Sequence, residues 1–146
     1  MTRLIIFNAL LLGSCGYALL KGTRDARIVA IVTLIASILS YLLVSRATLV
    51  SRYTGVEFGV LVVDVLTFLA FAAVALRSDR FWPLWISGLQ LTTSFGHLLK
   101  GFEAELVPLA YAIALRSWSY PIQIILAVAV WRSQRRKHRD NIFLPS

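Results

Sequence analysis

Long apolar runs constrain this chain more than any other feature of its sequence. They cover about residues 4–20, 28–45, 56–76, 82–99 and 108–131. A helix needs about 20 mostly apolar residues to cross the ~30 Å hydrocarbon core of a bilayer, and the runs are near that length. With 58% hydrophobic residues and a mean hydropathy of +0.75, the chain has too little polar surface to cover a soluble globule. We therefore expect an integral membrane protein.

The fold class follows from the hydrogen bonds of the backbone. In lipid each amide must be satisfied inside the protein, which restricts spanning segments to helices or a closed barrel. The apolar runs are continuous, whereas barrel strands alternate apolar and polar residues. The sequence predicts an all-α, polytopic transmembrane bundle with five spans and one domain over residues 1–133, followed by a basic tail over 132–146. A four-span version is the alternative.

The distribution of lysine and arginine predicts the orientation. Basic residues that flank spans stay on the cytoplasmic side. With the C-terminus inside, the outer face holds four basic residues, and Arg116 lies within a span. The inner face then holds Lys21, Arg24, Arg27, Arg77, Arg80, Arg132, Arg135, Arg136, Lys137 and Arg139. We expect the N-terminus outside and the C-terminus in the cytoplasm, whereas a four-span chain places both termini on one side.

The first apolar run has a second interpretation. Arg3, the apolar residues after it and the Leu12–Cys15 segment have the outline of a signal peptide with a lipoprotein cleavage site. A single charge is weak for the basic region of such a peptide, so we expect the segment to be retained as a span. Cys15 is the only cysteine. It cannot form a disulfide within the chain, and no cysteine-based metal cluster is expected.

The basic tail follows directly on the last apolar run. Polybasic segments next to a span are attracted to anionic lipid headgroups by about 1 kcal/mol per residue. We expect lipid contacts here rather than nucleic-acid binding, although the net charge of +8 invites the latter. The expected lipid contacts are Arg132, Arg135, Arg136, Lys137 and Arg139.

One segment carries a resemblance. The pattern Ala-Leu-Arg-Ser-x-Arg-x-Trp-Pro-Leu-Trp over residues 75–85, with His97 on the helix that follows, resembles small bacterial inner-membrane proteins of unassigned function. It covers about a third of the chain. The resemblance implies a bacterial inner-membrane location and no particular activity.

Charged residues inside the spans are the first candidates for a function, because charges in lipid are costly. At ~1.5 Å per residue, Asp64 and Arg116 both lie about 12 Å below the predicted outer ends of their spans. This matched depth predicts a buried ion pair between them. His97 lies between the levels of Glu57 and Asp64, while the inner halves of the third and fifth spans are apolar.

Two interpretations of these polar residues stay open. In the first, Asp64 and Arg116 pair, and serine, threonine and glutamine groups link helices. In the second, a polar pocket opens to the outer side and binds a small ligand, a lipid headgroup or a partner's side chain. Its lining would be Glu57, Asp64, His97, Arg116 and Tyr120. Proton-coupled transport is a variant of the second interpretation, although the apolar inner half opposes it.

Enzymatic and cofactor interpretations have little residue support. Ser94 and His97 share a helical face, as a nucleophile and base would, but a serine on a transmembrane helix usually bonds its own backbone. Haem ligation would need a second histidine in a span, and His138 lies in the tail. We expect no catalytic residues, cofactor or metal.

The expected function is a non-enzymatic accessory or scaffolding subunit of a larger inner-membrane complex, or a homo-oligomer. Its partners would be lipids and other membrane subunits or itself. The alternative is a small transporter or pore-forming effector that uses the outer pocket.

Overall fold

The computed structural model describes residues 2–50, 54–102 and 119–143. This part of the chain contains helices and no strand, so the all-α prediction is confirmed. The helices are α1 (Thr2–Lys21), α2 (Arg24–Val50), α3 (Thr54–Arg77), α4 (Trp82–Phe102) and α5 (Ser119–Phe143). The first four coincide with the first four apolar runs. In α5 the helix continues without a break through residues 132–143, which the sequence analysis assigns to a basic tail.

A tight turn joins α1 to α2. The Gly22 amide donates to the Ala18 carbonyl at 2.8 Å, and the Arg27 amide donates to the Thr23 carbonyl at 3.0 Å. A Cβ atom on Gly22 would lie 2.1 Å from the Ala18 carbonyl oxygen. Because that atom belongs to the backbone, a larger residue requires the turn itself to move. The turn between α1 and α2 therefore requires glycine at position 22.

The turn between α3 and α4 is tied to the start of α2. The Ser78 hydroxyl donates to Asp25 Oδ2 at 2.7 Å and accepts from the Arg80 amide at 3.3 Å. Pro83 follows in the first turn of α4, where its missing amide costs nothing. The two turns, α1–α2 and α3–α4, therefore lie at the same end of the bundle.

The five described helices form a closed ring. Helix α2 packs against α1 and α3, and α3 packs against α4. Helix α5 packs against both α1 and α4. Near the end of α1, the Gln134 side-chain amide donates to the Lys21 carbonyl. This contact places the basic stretch of α5 beside both turns. All ten residues predicted for the cytoplasmic face therefore belong to one end of the bundle, here called the basic end.

The apolar core lies close to the basic end. Phe71, Ile86 and Leu126 are its largest fully buried apolar side chains. Smaller residues of α1 and α2 complete the cluster, namely Cys15, Ala18, Ala26, Val29 and Ala30. All of these lie within about 15 Å of the basic end at ~1.5 Å per helical residue. The end of the bundle where the sequence analysis finds apolar segments in the third and fifth spans thus contains the close-packed apolar core.

Two described helices are long and apolar enough to cross a membrane, judged by length and composition. Arg24–Ser45 of α2 and Phe58–Arg77 of α3 each have a mean hydropathy of 2.5. Only 11% of the α2 segment and 22% of the α3 segment are buried inside the chain. The core helix of a soluble protein is mostly buried, so these exposed apolar faces need another cover. A shorter apolar segment, Ile5–Lys21 of α1, packs against α2.

Candidate functional site

A carboxylate between α3 and α4 receives side chains from two levels of α4. Gln90 Nε2 lies 3.1 Å from Asp64 Oδ1, to which it donates. His97 Nε2 lies 3.4 Å from the other carboxylate oxygen, Oδ2. Gln90 and His97 are two helical turns apart, so they share one face of α4. The Asp64 carboxylate bridges these two turns and fixes α3 against α4.

The cluster formed by Asp64, Gln90 and His97 runs from the interior to the surface. Gln90 is buried, whereas 16% of the Asp64 side chain and 30% of the His97 side chain are exposed. His97 lies nearer the C-terminus of α4, away from the basic end. The imidazole is therefore the part of the cluster that a ligand or water can reach first.

Hydroxyl side chains beside the cluster bond their own helices. Ser94 donates to the Gln90 carbonyl at 3.0 Å, and Thr93 donates to the Leu89 carbonyl at 3.2 Å. On α3, Thr67 donates to the Val63 carbonyl at 2.7 Å. The Ser94 hydroxyl thus bonds its own helix, and this bond does not activate it as a nucleophile.

A second polar tie joins α1 to α5. The Ser14 hydroxyl donates to Gln123 Oε1, and both side chains are almost fully buried. The sequence predicts that serine and glutamine groups link helices, but it does not single out Ser14. Helical spacing could have predicted the burial of Ser14, because Ser14 lies one turn after Leu11 and one turn before Ala18 on the buried face of α1.

The predicted pocket residues fall into three groups. Asp64 and His97 come together, as described above. Tyr120 of α5 packs edge-on against Phe7 of α1, with ring centroids 5.6 Å apart. Glu57 lies two turns before Asp64 on α3, but its side chain is outside the described part of the structure. Arg116 also lies outside the described residues, so its ion pair with Asp64 stays a prediction.

The predicted lipid contacts lie on the last turns of α5. Arg132, Arg135, Arg136, Lys137 and Arg139 are all exposed there. The Arg135 guanidinium lies 4.2 Å from the centroid of the Trp131 ring, a cation–π contact. At about 100° per residue, Arg132, Arg135, Arg136 and Arg139 share one face of α5, and Lys137 lies on another face.

The chemistry open to the Asp64 cluster is binding or proton exchange. Within residues 2–50, 54–102 and 119–143, no group of three or more histidine, cysteine or acidic residues could hold a metal ion. In the same ranges, no buried side-chain nitrogen or oxygen lacks a hydrogen-bond partner. A carboxylate with an imidazole can hold a cation or a hydrogen-bond donor, or pass a proton.

Comparisons of the chain with protein-family models, curated proteins and solved structures find no match.

Proposed function

We propose that this chain is a five-span protein of the bacterial inner membrane, with its N-terminus outside and its C-terminus in the cytoplasm. In this proposal it serves as a non-enzymatic accessory or scaffolding subunit of a larger membrane assembly, or as a homo-oligomer. The observation that carries the proposal is the separation of apolar and polar side chains in the bundle. Apolar faces point outward, while buried polar side chains bond within the bundle.

The outward apolar face is clearest on α2. Ile35 is 55% exposed, Ile38 is 57% exposed and Leu42 is 49% exposed. Contiguous apolar surface of this kind marks a membrane or protein contact, since soluble monomers rarely expose it. The inward polar groups have the opposite role. Asp64 with Gln90 links α3 to α4, and Ser14 with Gln123 links α1 to α5. Such ties stabilise a bundle at about 0.6 kcal/mol each.

A charge placed on the apolar face tests membrane insertion. Ile35 lies about 16 Å along α2 from Arg24, close to the middle of a ~30 Å hydrocarbon layer. Ile35→Lys should therefore cost about 3 kcal/mol of insertion free energy and deplete the protein from carbonate-washed membranes. Ile28→Lys is the matched control, because a lysine near the basic end can extend its ammonium to the headgroups. Equal, unchanged yields of both variants would contradict insertion of α2.

Cysteine labelling tests the orientation. In a Cys15→Ser background, single cysteines replace Thr2, Ser51 or Ser78 in turn. An impermeant maleimide added to intact cells should label positions 2 and 51 and should reach position 78 only after lysis. Protection of position 2 would support the four-span alternative. Labelling of position 78 in intact cells would contradict the proposed orientation.

The assembly itself is tested by native mass spectrometry on protein extracted in mild detergent from its own membrane. An accessory role predicts a reproducible complex with other membrane subunits, and the homo-oligomer predicts a single multiple of this chain. A monomer under all mild conditions would contradict both forms of the proposal.

A second candidate function rests on the exposure of His97. A small transporter or pore-forming effector would use the outer polar pocket, and an imidazole that is 30% exposed beside a carboxylate supports such an opening. In the Cys15→Ser background, His97→Cys should then react with a small water-soluble thiosulfonate added outside. Gln90→Cys is the buried control and should stay unmodified. Protection of both positions would remove the pocket.

A further inference from the structure

A groove between the start of α4 and the middle of α5 opens at the basic end. Its cavity volume is about 660 Å³. The rim holds the arginines Arg80, Arg132 and Arg136 with one acidic residue, Asp79. The groove therefore has a net positive rim, and its three guanidinium groups stay charged at any physiological pH.

The wall of the groove changes character along α5. Ile124, Val128, Arg132 and Arg136 follow one another at intervals of four residues on the same helical face, and all line the groove. The apolar part runs about 12 Å from Ile124 to Arg132, which approaches the ~15 Å hydrocarbon half of a bilayer. Basic groups follow immediately beyond it.

Aromatic side chains complete the opposite wall on α4. Trp82 and Trp85 line the groove, and Trp85 is 70% exposed. Indole rings favour the headgroup level of a membrane, where one edge is apolar and the N–H reaches polar atoms. From Ile124 toward the basic end, the side chains that line the groove are thus first apolar, then aromatic and finally cationic.

We propose that this groove binds one anionic phospholipid of the cytoplasmic leaflet, with its phosphate between Arg80 and Arg132 and an acyl chain along Val128. The inference rests on the proposed insertion in a bilayer. Charge complementarity favours this occupant over a second copy of the chain. A twofold interface through this groove would bring the arginine rims of both copies together, and the like charges would repel.

A lipid titration of the purified full-length protein tests the site. Native mass spectrometry in neutral detergent measures the Kd for phosphatidylglycerol and for phosphatidylcholine with the same acyl chains. The wild type should bind phosphatidylglycerol at least tenfold more tightly. Each lost arginine should weaken that binding about fivefold, so Arg80→Gln with Arg132→Gln should weaken it about 25-fold.

The control pair is Arg135→Gln with Arg139→Gln, which removes the same charge from α5 residues outside the groove. It should change the Kd by less than threefold. Val128→Trp places a larger side chain in the apolar part of the groove without changing its charge. It should weaken the binding of both lipids.

Equal losses for the two arginine pairs would overturn the proposal in favour of diffuse attraction to the basic end. Equal wild-type affinities for the two lipids would also overturn it, and this result needs no variant to fold. Crosslinking between Val128→Cys protomers would assign the groove to a second copy instead. Loss of membrane insertion is measured separately by the Ile35→Lys fractionation, so the two proposals fail in different experiments.

Discussion

The contact between Asp64 and His97 can be tested by a double-mutant cycle with Asp64→Asn and His97→Gln. Asparagine keeps the size of the aspartate and an oxygen that can accept from Gln90. Glutamine keeps a polar group at position 97 without an imidazole. The cycle therefore removes the carboxylate–imidazole interaction while it preserves most of the packing between α3 and α4.

The separation of the two groups sets bounds on the coupling energy. For a fully charged pair at 3.4 Å, an effective dielectric of ~20 gives about 5 kcal/mol, which is an upper bound. A neutral interhelical hydrogen bond gives about 0.6 kcal/mol. The separation is longer than the ~2.8 Å of a strong charge-assisted bond, and both side chains are partly exposed. We expect a coupling energy of about 1–3 kcal/mol.

The assay is reversible unfolding of the full-length protein in mixed micelles with increasing SDS, followed by circular dichroism. Wild type, both single variants and the double variant give four free energies of unfolding. A matched cycle uses Thr92→Val with His97→Gln, because Thr92 is exposed and donates to the Gly88 carbonyl of its own helix. Additivity within about 0.3 kcal/mol for Asp64 and His97 would show that the two side chains do not interact.

Three further predictions concern other parts of the bundle. Gly22→Ala should lower the yield of folded protein because its Cβ meets the Ala18 carbonyl, whereas Gly13→Ala, with nothing within 4 Å, should not; equal yields in membranes would contradict the built-in role of Gly22. Phe71→Ala should lower the free energy of unfolding by about 3–5 kcal/mol, since this fully buried ring leaves a cavity, and a loss below about 1 kcal/mol would refute close packing at this end. Arg116→Gln alone should reduce folded protein, and adding Asp64→Asn should recover much of the loss; purely additive losses would show that these two residues do not pair.

Hydrophobic patterning predicted the positions of the helices well, but it predicted the side-chain contacts between helices poorly. The apolar runs predicted the first four helices to within a few residues, because apolar length and turn residues act locally. The run over 108–131 predicted part of α5 but not its continuation to Phe143, since a basic, polar sequence shows no apolar stripe even where the backbone stays helical.

The candidate site was likewise predictable only in part. Depth along each span predicted His97 between the levels of Glu57 and Asp64, and in the structure His97 Nε2 lies 3.4 Å from Asp64 Oδ2. The sequence did not indicate that Gln90 bonds the same carboxylate, because the angle at which α4 packs on α3 depends on contacts between distant residues. Ser14 was missed for a similar reason. Its spacing from Leu11 and Ala18 predicts burial, but its partner, Gln123, depends on how α5 packs against α1.

The unbroken length of α5 limits how far the C-terminal residues reach from the bundle. From Arg132 to Phe143 a helix advances about 16 Å, whereas the same residues fully extended would reach about 38 Å. The cations of this segment therefore stay within roughly two Debye lengths of the basic end at physiological salt. A binding partner that contacts Phe143 has to approach to that distance, and there it meets the positive field of the basic end.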